Sequence, residues 1–300
     1  MPSRPCDPAR EALARQGYLF VDPRSTAAVK PCLWARRALG GGEACYKQQF
    51  YGIESHRCVQ MTPTLRCNQR CLFCWRSFEH EPVEEVELSP EALFRALPRL
   101  QKQALAGYKV QVPPERFEEA AHPRQAAISL AGEPTLYSHL PRLIGLMAGD
   151  GMTTFLVTNG TRPWVVARCR PFQTYVSLDA PDGETYRRVC RPADPGSWDL
   201  VQESLALLGS RRSAIRVTLV AGLNDHDPAG YGAMVAESAP TFVEVKGYMH
   251  LGYSRKRLTA AHMPPHERVR GFAEQVARHA GFRVADENAA SRVVLLERGA

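Results

Sequence analysis

Lysine is scarce in this chain, and long apolar stretches are missing from it. Only six of the 300 residues are lysine, at positions 30, 47, 102, 109, 246 and 256. No apolar run approaches the roughly 18 residues that a membrane-spanning helix needs. Charged residues rather than an apolar segment follow Met1-Pro2-Ser3-Arg4. We therefore expect neither a secretory signal nor a membrane anchor, and we expect a cytoplasmic protein.

The charge balance is basic. Lysine and arginine together outnumber aspartate and glutamate 38 to 31, which gives a formal net charge of +7. This surplus is compatible with a nucleic-acid partner, although a generic basic surface would give the same number. Both interpretations stay open for the basic residues that could meet phosphates, which are Arg76, Arg162, Arg168, Arg170, Arg255, Lys256 and Arg257. Length and composition are otherwise those of a globular protein with a sizeable core.

Nine cysteines in a cytoplasmic chain indicate metal binding or catalysis rather than a disulfide framework. Three of them, Cys67, Cys71 and Cys74, lie within eight residues, too close for the four separated ligands of a structural zinc site. They are one thiolate short of the four that close an iron–sulfur cluster, so one iron would stay open for a small molecule. The alternatives are a partial zinc knuckle or unrelated thiols. Cys169 and Cys190 have no partners at ligand spacing, and we interpret them as structural.

A second set of cysteines is evenly spaced. Twelve residues separate Cys32 from Cys45, and twelve separate Cys45 from Cys58. This spacing suggests three loop positions that fold back toward one centre, and we interpret them as ligands of a second cluster. Spacing alone is weak evidence for that. Lys47 follows Cys45 by two residues; a desolvated lysine there could form a Schiff base with a keto group, whereas most lysines are solvated surface charges.

Strand and helix patterns alternate along the rest of the chain, which favours a parallel sheet with crossover helices. Ser89-Pro90 predicts a helix start, and Gly107 the end of that helix. In parallel barrels, functional sites lie at the carboxyl ends of the strands. The unusual residues at those positions are the Cys67–Cys74 loop, Gly132-Glu133-Pro134, Thr158-Asn159, Ser177, Asp179 and Lys246.

The Cys67–Cys74 spacing resembles the signature of the radical S-adenosylmethionine (SAM) superfamily. In that superfamily the open iron of a [4Fe–4S] cluster binds SAM, and an electron from the cluster cleaves SAM to methionine and a 5′-deoxyadenosyl radical. The resemblance implies an α/β fold, a partial (β/α)₆ TIM-like barrel. It also implies that Phe73 holds the adenine of SAM, although a lone phenylalanine would be read as core packing.

The same resemblance implies further SAM contacts. Gly132-Glu133-Pro134 resembles the GGEP motif that meets the amino group of SAM, with Ala131 in place of the first glycine. Taken alone, this triplet would be an ordinary turn. The residues that could hydrogen-bond the ribose or methionine part are Thr158, Asn159, Ser177 and Asp179. Asp179 could equally cap a helix.

From about Pro31 to its last strands the sequence resembles one family, the tRNA 4-demethylwyosine synthases of the wyosine pathway. The shared motifs are residues 62–67, 71–76, 115–120, 128–135, 155–159, 175–180, 244–247 and 258–262. The even spacing of Cys32, Cys45 and Cys58 is that family's second-cluster pattern. The resemblance therefore implies two [4Fe–4S] clusters, an N-terminal extension over residues 1–58 that carries the auxiliary-cluster cysteines, and a radical-SAM barrel with C-terminal elements over residues 59–300.

The family's activity would follow. It converts 1-methylguanosine, 3′ of the anticodon in tRNA(Phe), with pyruvate into the tricyclic base 4-demethylwyosine. Pyruvate could be held by Lys47 as an imine, or by the open iron of the second cluster. The length resembles the stand-alone archaeal form, which implies a monomer that takes electrons from an external donor.

The sequence departs from the family at one point, and it is compatible with two other functions. Some relatives carry a second lysine before the Glu115–Ala120 stretch; here Pro113-Pro114 precede it, and Lys109 is the nearest amine. A radical-SAM enzyme with an auxiliary cluster that acts on a peptide or small metabolite is the first alternative function. A zinc-stabilised nucleic-acid-binding module without catalysis is the second.

Overall fold

The computed structural model describes residues 8–78 and 86–299. The sequence predicts a solvated acidic segment that contains Glu79, Glu81, Glu84, Glu85 and Glu87. The first four of these, and Cys6, are outside the described residues, whereas Glu87 pairs with Arg66 at 2.7 Å. The chain packs as two compact units, which we describe separately. Unit 1 comprises Met1–Cys67, Phe78–Leu156 and Arg170–Phe172, and unit 2 comprises Asn68–Ser77, Val157–Cys169 and Gln173–Ala300. Both units are interleaved along the chain, so a division after residue 58 stays a prediction.

Unit 1 is built from short strands and six helices within the described residues. Its helices are α1 (Pro8–Arg15), α2 (Leu33–Leu39), α3 (Tyr46–Tyr51), α4 (Pro90–Leu105), α5 (Pro114–Ala121) and α6 (Leu140–Gly149). Its strands are β1 (Leu19–Phe20), β2 (Ala28–Val29), β3 (Cys58–Thr62), β4 (Gln125–Ile128) and β5 (Thr153–Thr158), the last two residues of β5 belonging to unit 2. Strand order follows chain order. The β1–β2 and β2–β3 pairs are antiparallel, and the β3–β4 and β4–β5 pairs are parallel.

Unit 2 continues the alternation. Its helices are α7 (Pro163–Arg168), α8 (Gly183–Cys190), α9 (Ser197–Ala206), α10 (Pro228–Ser238) and α11 (His266–Ala280). Its strands are β6 (Gln173–Ser177), β7 (Ser213–Leu219), β8 (Phe242–Gly247), β9 (Phe282–Asn288) and β10 (Val293–Arg298), in the order β6-β7-β8-β10-β9. Pairing is parallel from β6 to β8 and antiparallel between β8, β10 and β9. The two terminal strands thus depart from the predicted parallel sheet, because a tight Asn288–Val293 connection can join only antiparallel neighbours.

Local sequence explains most element boundaries. The Ser89 hydroxyl accepts a hydrogen bond from the Ala92 amide at 3.2 Å, as expected of a helix cap before Pro90. The helix α4 ends at Leu105 and tightens into a 3₁₀ turn over Ala106–Tyr108. Gly107 lies inside that turn without a positive φ, so the prediction that it terminates the helix is wrong.

Helices α2 and α3 were not predicted, and each starts at a cysteine. Cys32 is the N-cap of α2 and Cys45 the N-cap of α3. Cys58 is the first residue of β3. The three evenly spaced cysteines therefore lie at the beginnings of regular elements, where loops enter them.

The apolar core of each unit lies between its strands and helices. In unit 1, Leu39, Leu105 and Phe117 form a buried cluster with Ala120. In unit 2, β6, β7 and β8 bury valine, leucine and isoleucine side chains against α8 to α11. Within the residues described, no helix has the length and apolar character needed to cross a bilayer.

Candidate active site

The three evenly spaced cysteines come together in unit 1. Burial raises the pKa of the Cys58 thiol above its usual value, and the neighbouring Cys32 and Cys45 raise it further. Burial also raises the pKa of Cys32, whose sulfur accepts a hydrogen bond from the Ala35 amide at 3.3 Å. Thiols whose ionisation is opposed mainly by desolvation can still bind a metal centre as thiolates, because the positive charge of the metal favours the ionised form.

Lys47 lies among these thiols. It is the second residue of α3, and only 8% of it is exposed. Its charge lowers the pKa of both Cys32 and Cys58, which places the amine close to them. The ammonium nitrogen lies 4.5 Å from the centre of the Phe155 ring. Lys109, by contrast, is exposed just after the 3₁₀ turn at Ala106–Tyr108.

Helix α5 holds this cysteine-bearing segment in place. The Arg116 guanidinium donates to the carbonyl oxygens of Ala38 and Leu39 at the end of α2, at 2.7 and 3.2 Å. One turn further on, Glu119 pairs with the buried His56 at 2.9 Å, two residues before Cys58. The hydrogen bond from His56 lowers the pKa of the Glu119 carboxyl. The Glu115–Ala120 motif is therefore a brace for the Cys32–Cys58 region.

The entrance to the second cysteine loop is fixed by the Gly132-Glu133 turn. The Glu133 amide donates to the Arg66 carbonyl at 2.7 Å, and the Thr62 hydroxyl donates to the Ala131 carbonyl at 2.6 Å. Gly132 has a φ of +73°, and a Cβ there would lie 2.8 Å from the Arg66 oxygen. Only glycine allows so close an approach of the turn to the chain just before Cys67.

Glu133 itself is buried, and its carboxylate accepts hydrogen bonds from the Thr135 amide and hydroxyl at 3.0 and 2.7 Å. Pro134 begins the 3₁₀ turn that this carboxylate caps. The predicted SAM-binding triplet is thus a rigid turn against the strand-to-loop junction of unit 1.

Beyond Cys67, the loop pairs with the end of α8 in unit 2. The Leu72 amide donates to Val189 at 2.9 Å, and the Gln69 side chain donates to the Tyr186 hydroxyl at 2.7 Å. The Cys71 thiol donates to the Gln69 side-chain oxygen at 3.3 Å. The pKa of the Cys71 thiol is raised, first by a hydrogen bond with Cys190 and to a smaller extent by burial. Cys190 is buried, as a structural cysteine should be, but it also touches a predicted ligand.

Three polar side chains form a closed ring beside this loop. Asn159 donates to the Asn68 side-chain oxygen at 2.9 Å, Asn68 donates to the Thr161 hydroxyl at 2.8 Å, and Thr161 donates back to Asn159 at 2.7 Å. The residue next to Cys67 is thereby tied to the residue that follows β5. The sequence does not single out Asn68, because no signal distinguishes it from a spacer residue of the cysteine motif.

The remaining predicted SAM contacts lie in unit 2. Thr158 is buried, and its hydroxyl accepts from the Gly160 amide at 3.1 Å. Ser177 is half-buried at the end of β6. Phe73 is also half-buried. It packs against the cluster of Val220, Tyr248 and Leu258, so part of its ring contributes to the apolar core.

Asp179 is buried and does not cap a helix; the cap of α8 is Asp182, which accepts from the Thr185 amide at 2.8 Å. Instead, Asp179 accepts a hydrogen bond from the Thr218 amide at 2.7 Å. Burial raises the pKa of this carboxyl to about 6, although the Thr218 hydrogen bond acts in the opposite direction. A carboxyl that titrates near neutrality suits a binding site better than a capping role.

The donor set fits an iron–sulfur cluster. Across residues 8–78 and 86–299, no three His, Cys, Asp or Glu side chains surround one point closely enough to hold a single metal ion. In a cluster each thiolate binds a different iron, so its ligands lie further apart than those of one ion. Six cysteines with no disulfide among them supply soft ligands of that kind.

Two family models match this sequence, and together they span most of it. Residues 61–231 match the model described as "Radical SAM superfamily". Residues 237–298 match the one described as "Wyosine base formation". The S-adenosyl-L-methionine-dependent tRNA 4-demethylwyosine synthase of Pyrococcus abyssi (strain GE5 / Orsay) is 43% identical over 302 residues, covering 95% of this chain and 86% of the relative. The chain belongs to the radical-SAM family of tRNA 4-demethylwyosine synthases.

Solved structures of this family agree along the whole chain. The "Structure of TYW1 with a lysine-pyruvate adduct bound" has a TM-score of 0.88 and 35% identity, covering 96% of this chain and 95% of that one. The "Crystal structure of archaeal TYW1" has a TM-score of 0.82 and 31% identity, covering 99% and 97%. As a member of the family, the protein has the radical-SAM α/β fold with mixed strand pairing, and its chemistry uses SAM and an iron–sulfur cluster.

Proposed function

We propose that this protein is a tRNA 4-demethylwyosine synthase that acts on 1-methylguanosine in tRNA(Phe) and takes two carbons from pyruvate. Membership of the family carries the tRNA-modifying activity. The observation that carries the pyruvate assignment is the buried amine of Lys47 among three cysteines, in a chain that matches a structure holding a lysine–pyruvate adduct.

In this proposal two [4Fe–4S] clusters are bound. Cys67, Cys71 and Cys74 ligate the one that binds SAM, and Cys32, Cys45 and Cys58 ligate the other. When bound, the reduced SAM-binding cluster supplies the electron that cleaves SAM to an abstracting radical. The mutual influence of the Cys32, Cys45 and Cys58 thiols supports the second ligand set.

The remaining site residues orient the reactants. Phe73 stacks on the adenine, the Gly132-Glu133-Pro134 turn meets the amino group of SAM, and the ribose and methionine portions are held by Thr158, Asn159, Ser177 and Asp179. The ring that joins Asn159 to Asn68 supports this assignment, because it locks the amide beside the cysteine loop.

Lys47 holds pyruvate in this proposal. Its neutral amine adds to the keto carbon, water leaves, and an imine results. Burial under the Phe155 ring keeps bulk water from the amine and so limits hydrolysis of the imine. Lys109 is exposed and does not replace the second lysine of some relatives.

Several coarser features belong to the same proposal. We expect the six strands β3 to β8 to form the partial (β/α)₆ barrel of the superfamily, preceded by the extension that carries the auxiliary cysteines. We expect a cytoplasmic monomer that receives electrons from an external donor. The parallel pairing of β3–β5 and of β6–β8 supports the barrel.

The deciding experiment is an anaerobic reaction of the reconstituted protein with 1-methylguanosine-containing tRNA(Phe), pyruvate, SAM and dithionite. The tricyclic nucleoside should appear in digested tRNA, together with 5′-deoxyadenosine. Release of 5′-deoxyadenosine without the tricyclic base would reject this substrate and favour a peptide or small metabolite. Protein that contains zinc but no iron or sulfide would reject radical chemistry altogether.

A further inference from the structure

The wyosine-specific part of the sequence contains an unusually basic segment. From Val245 to His266 there is no aspartate or glutamate, whereas Lys246, Arg255, Lys256 and Arg257 are cations. Three of those cations are consecutive, in a 3₁₀ turn over Gly252–Lys256 and the residue after it. We call residues 251–258 the basic loop.

The inner side of the basic loop is fastened to the cysteine loop. The Arg257 guanidinium donates to the carbonyl oxygens of Cys74 and Arg76, the latter at 3.2 Å. The Tyr253 amide donates to the Trp75 carbonyl at 2.9 Å. All three backbone carbonyls from Cys74 to Arg76 are therefore occupied by donors from one loop.

Glycine at position 252 is required by this contact. Its φ is +56°, and a Cβ there would lie 2.5 Å from the Trp75 carbonyl oxygen. Any side chain would push the basic loop away from the residue that follows Cys74.

The basic loop is also rigid. The Tyr248 and Ser254 hydroxyls are 2.8 Å apart, and Ser254 donates to the Leu251 carbonyl at 2.6 Å. The Leu258 amide donates to Ser254 at 2.8 Å, and a ring nitrogen of His250 lies 3.0 Å from the Leu258 carbonyl oxygen. A displacement of one end of such a loop is passed to the other end rather than absorbed.

The outer side of the basic loop carries two of its cations. Arg255 and Lys256 are exposed, and neither forms an ion pair with any residue in the described part of the chain. The Lys256 nitrogen lies 4.7 Å from the centre of the Tyr253 ring, which holds the cation in one place. Leu251, in the same loop, is 57% exposed, and Trp75, whose carbonyl accepts from the Tyr253 amide, is 36% exposed. Clustered cations with an exposed aromatic ring match the chemistry of an RNA loop better than that of an acidic protein surface.

We propose that the basic loop couples RNA binding to the SAM-binding cluster: Arg255 and Lys256 contact backbone phosphates of the tRNA anticodon arm, while Arg257 and Tyr253 hold the chain at Cys74. This inference rests on the proposed function. Phosphate contacts fix the position of an RNA without reading its bases, which suits an element that reports only that the substrate has docked. Because coupling between two sites is reciprocal, SAM should tighten tRNA binding by the factor by which tRNA tightens SAM binding.

The test compares two sets of variants of the reconstituted enzyme. The outer variant is Arg255→Ala with Lys256→Ala, and the inner variants are Arg257→Ala and Arg257→Lys. A charge-matched control is Arg95→Ala with Arg99→Ala, two exposed arginines on α4. The measurements are the tRNA dissociation constant at several salt concentrations and the EPR spectrum of the reduced enzyme with SAM, with and without tRNA.

The outer variant should bind tRNA at least fivefold more weakly, and its salt slope should fall by about 1.4, since each phosphate contact contributes roughly 0.7 on a single-stranded region. Its SAM-dependent EPR signal should be that of wild type without tRNA and should no longer respond to tRNA. The Arg257→Ala variant should show an altered or missing SAM-dependent signal while tRNA binding stays near wild type, and Arg257→Lys should restore part of the signal. If Arg257→Ala loses the cluster, tRNA binding is compared between the metal-free forms of this variant and of wild type. The two dissociation constants should then be similar.

Two results would overturn the coupling role. One is tRNA binding by the outer variant that equals that of wild type or of the α4 control. The other is a wild-type SAM-dependent EPR signal that does not change when tRNA is added. Failure of the proposed function is a different result, because wild type would then bind tRNA without forming the tricyclic base.

Discussion

Lys47 differs from the other lysines of the chain in its surroundings. The amine is buried, faces an aromatic ring and lies near two thiols. Lys102, for comparison, is half-exposed and pairs with Glu118 at 3.1 Å. A lysine amine that is shielded from bulk water is a candidate for imine formation with a carbonyl compound.

Borohydride trapping with pyruvate tests this reactivity. Reduction of an imine gives a stable secondary amine at the attacking lysine, detectable by peptide mass spectrometry. Trapping should fall to background in Lys47→Ala and remain at the wild-type level in Lys109→Ala. Trapping at the wild-type level in Lys47→Ala would mean that another amine holds pyruvate, and absence of trapping in wild type would favour the open iron of the second cluster.

The six ligand assignments predict a separable loss of clusters. Cys58→Ala and Cys71→Ala should each lose about half of the iron and sulfide, because each removes a ligand from one cluster only. Cys169→Ala is the control, since this buried cysteine belongs to neither ligand set. EPR of the reduced proteins distinguishes the two, because only the Cys58→Ala variant should keep a signal that responds to SAM. A wild type with a single cluster would contradict the prediction.

The buried carboxyl of Asp179 predicts a pH dependence of stability. Its pKa is raised from 3.8 to about 6, so the folded protein binds this proton more tightly than the unfolded chain does between those values. The free energy of unfolding should therefore decrease as the pH rises through this window, by up to about 3 kcal/mol.

Asp179→Asn keeps the oxygen that accepts from Thr218 and removes the titration. Urea unfolding of the metal-free proteins between pH 4 and pH 7 should show a shallower decrease for the variant, which should be the more stable protein at pH 7. Parallel pH profiles for the two proteins would show that this carboxyl is not the group responsible.

Among the elements, the Gly132-Glu133 turn is the most constrained by its backbone. Gly132→Ala should destabilise the protein by roughly 2–4 kcal/mol, because a positive φ and a backbone clash act together. Gly145→Ala, in the open interior of α6, should instead stabilise by about 0.5–1 kcal/mol. Thermal unfolding measures both. Since the turn holds the chain before Cys67, Gly132→Ala should also lower the iron bound by the SAM-binding cluster.

How well each helix or strand could be predicted from the sequence depends on which interactions stabilise it. Strands β5, β7 and β8 are strongly apolar on one side, and the sequence predicts them at 154–158, 215–220 and 242–245, within two residues of their observed bounds. Helix α11 is predicted from its apolar face over residues 269–277 and from the Gly281 cap, and it extends three residues beyond that face at each end. Helices α2 and α3 are short and capped by cysteine, which is not a usual capping residue, so their starts carried no recognisable signal. The hydrophobic pattern predicts the two terminal strands but not their antiparallel direction, which depends on the short connection between them.

Residues of the candidate site could be predicted where the chemistry requires a fixed spacing along the sequence. They could not be predicted where they meet only through tertiary contacts. Three cysteines at close spacing on one loop can be recognised from the sequence alone. The ring of Asn68, Asn159 and Thr161 does not, because its members are 91 and 93 residues apart in the two bonds that Asn68 makes. Arg257 was read as a phosphate contact or a solvated charge, yet its guanidinium binds backbone carbonyls.

For the molecule as a whole, the two clusters of the proposed function should contribute to stability. Iron that is bound by thiolates in the folded protein stabilises it, because that ligand arrangement is lost on unfolding. Anaerobic removal of iron by a chelator should therefore lower the midpoint of thermal unfolding by several degrees, with recovery after reconstitution. A midpoint that is unchanged by iron removal would mean that the cysteine segments are ordered without metal.

The shielded position of Lys47 makes it a chemical reporter of solvent access to its own surroundings. Under brief acylation with an amine-reactive ester, Lys102 and Lys109 should be modified within the first minutes, and Lys47 only when the chain around Phe155 opens. The rate at which position 47 acquires the label would then time that opening, and pyruvate in the buffer would slow it by occupying the same nitrogen.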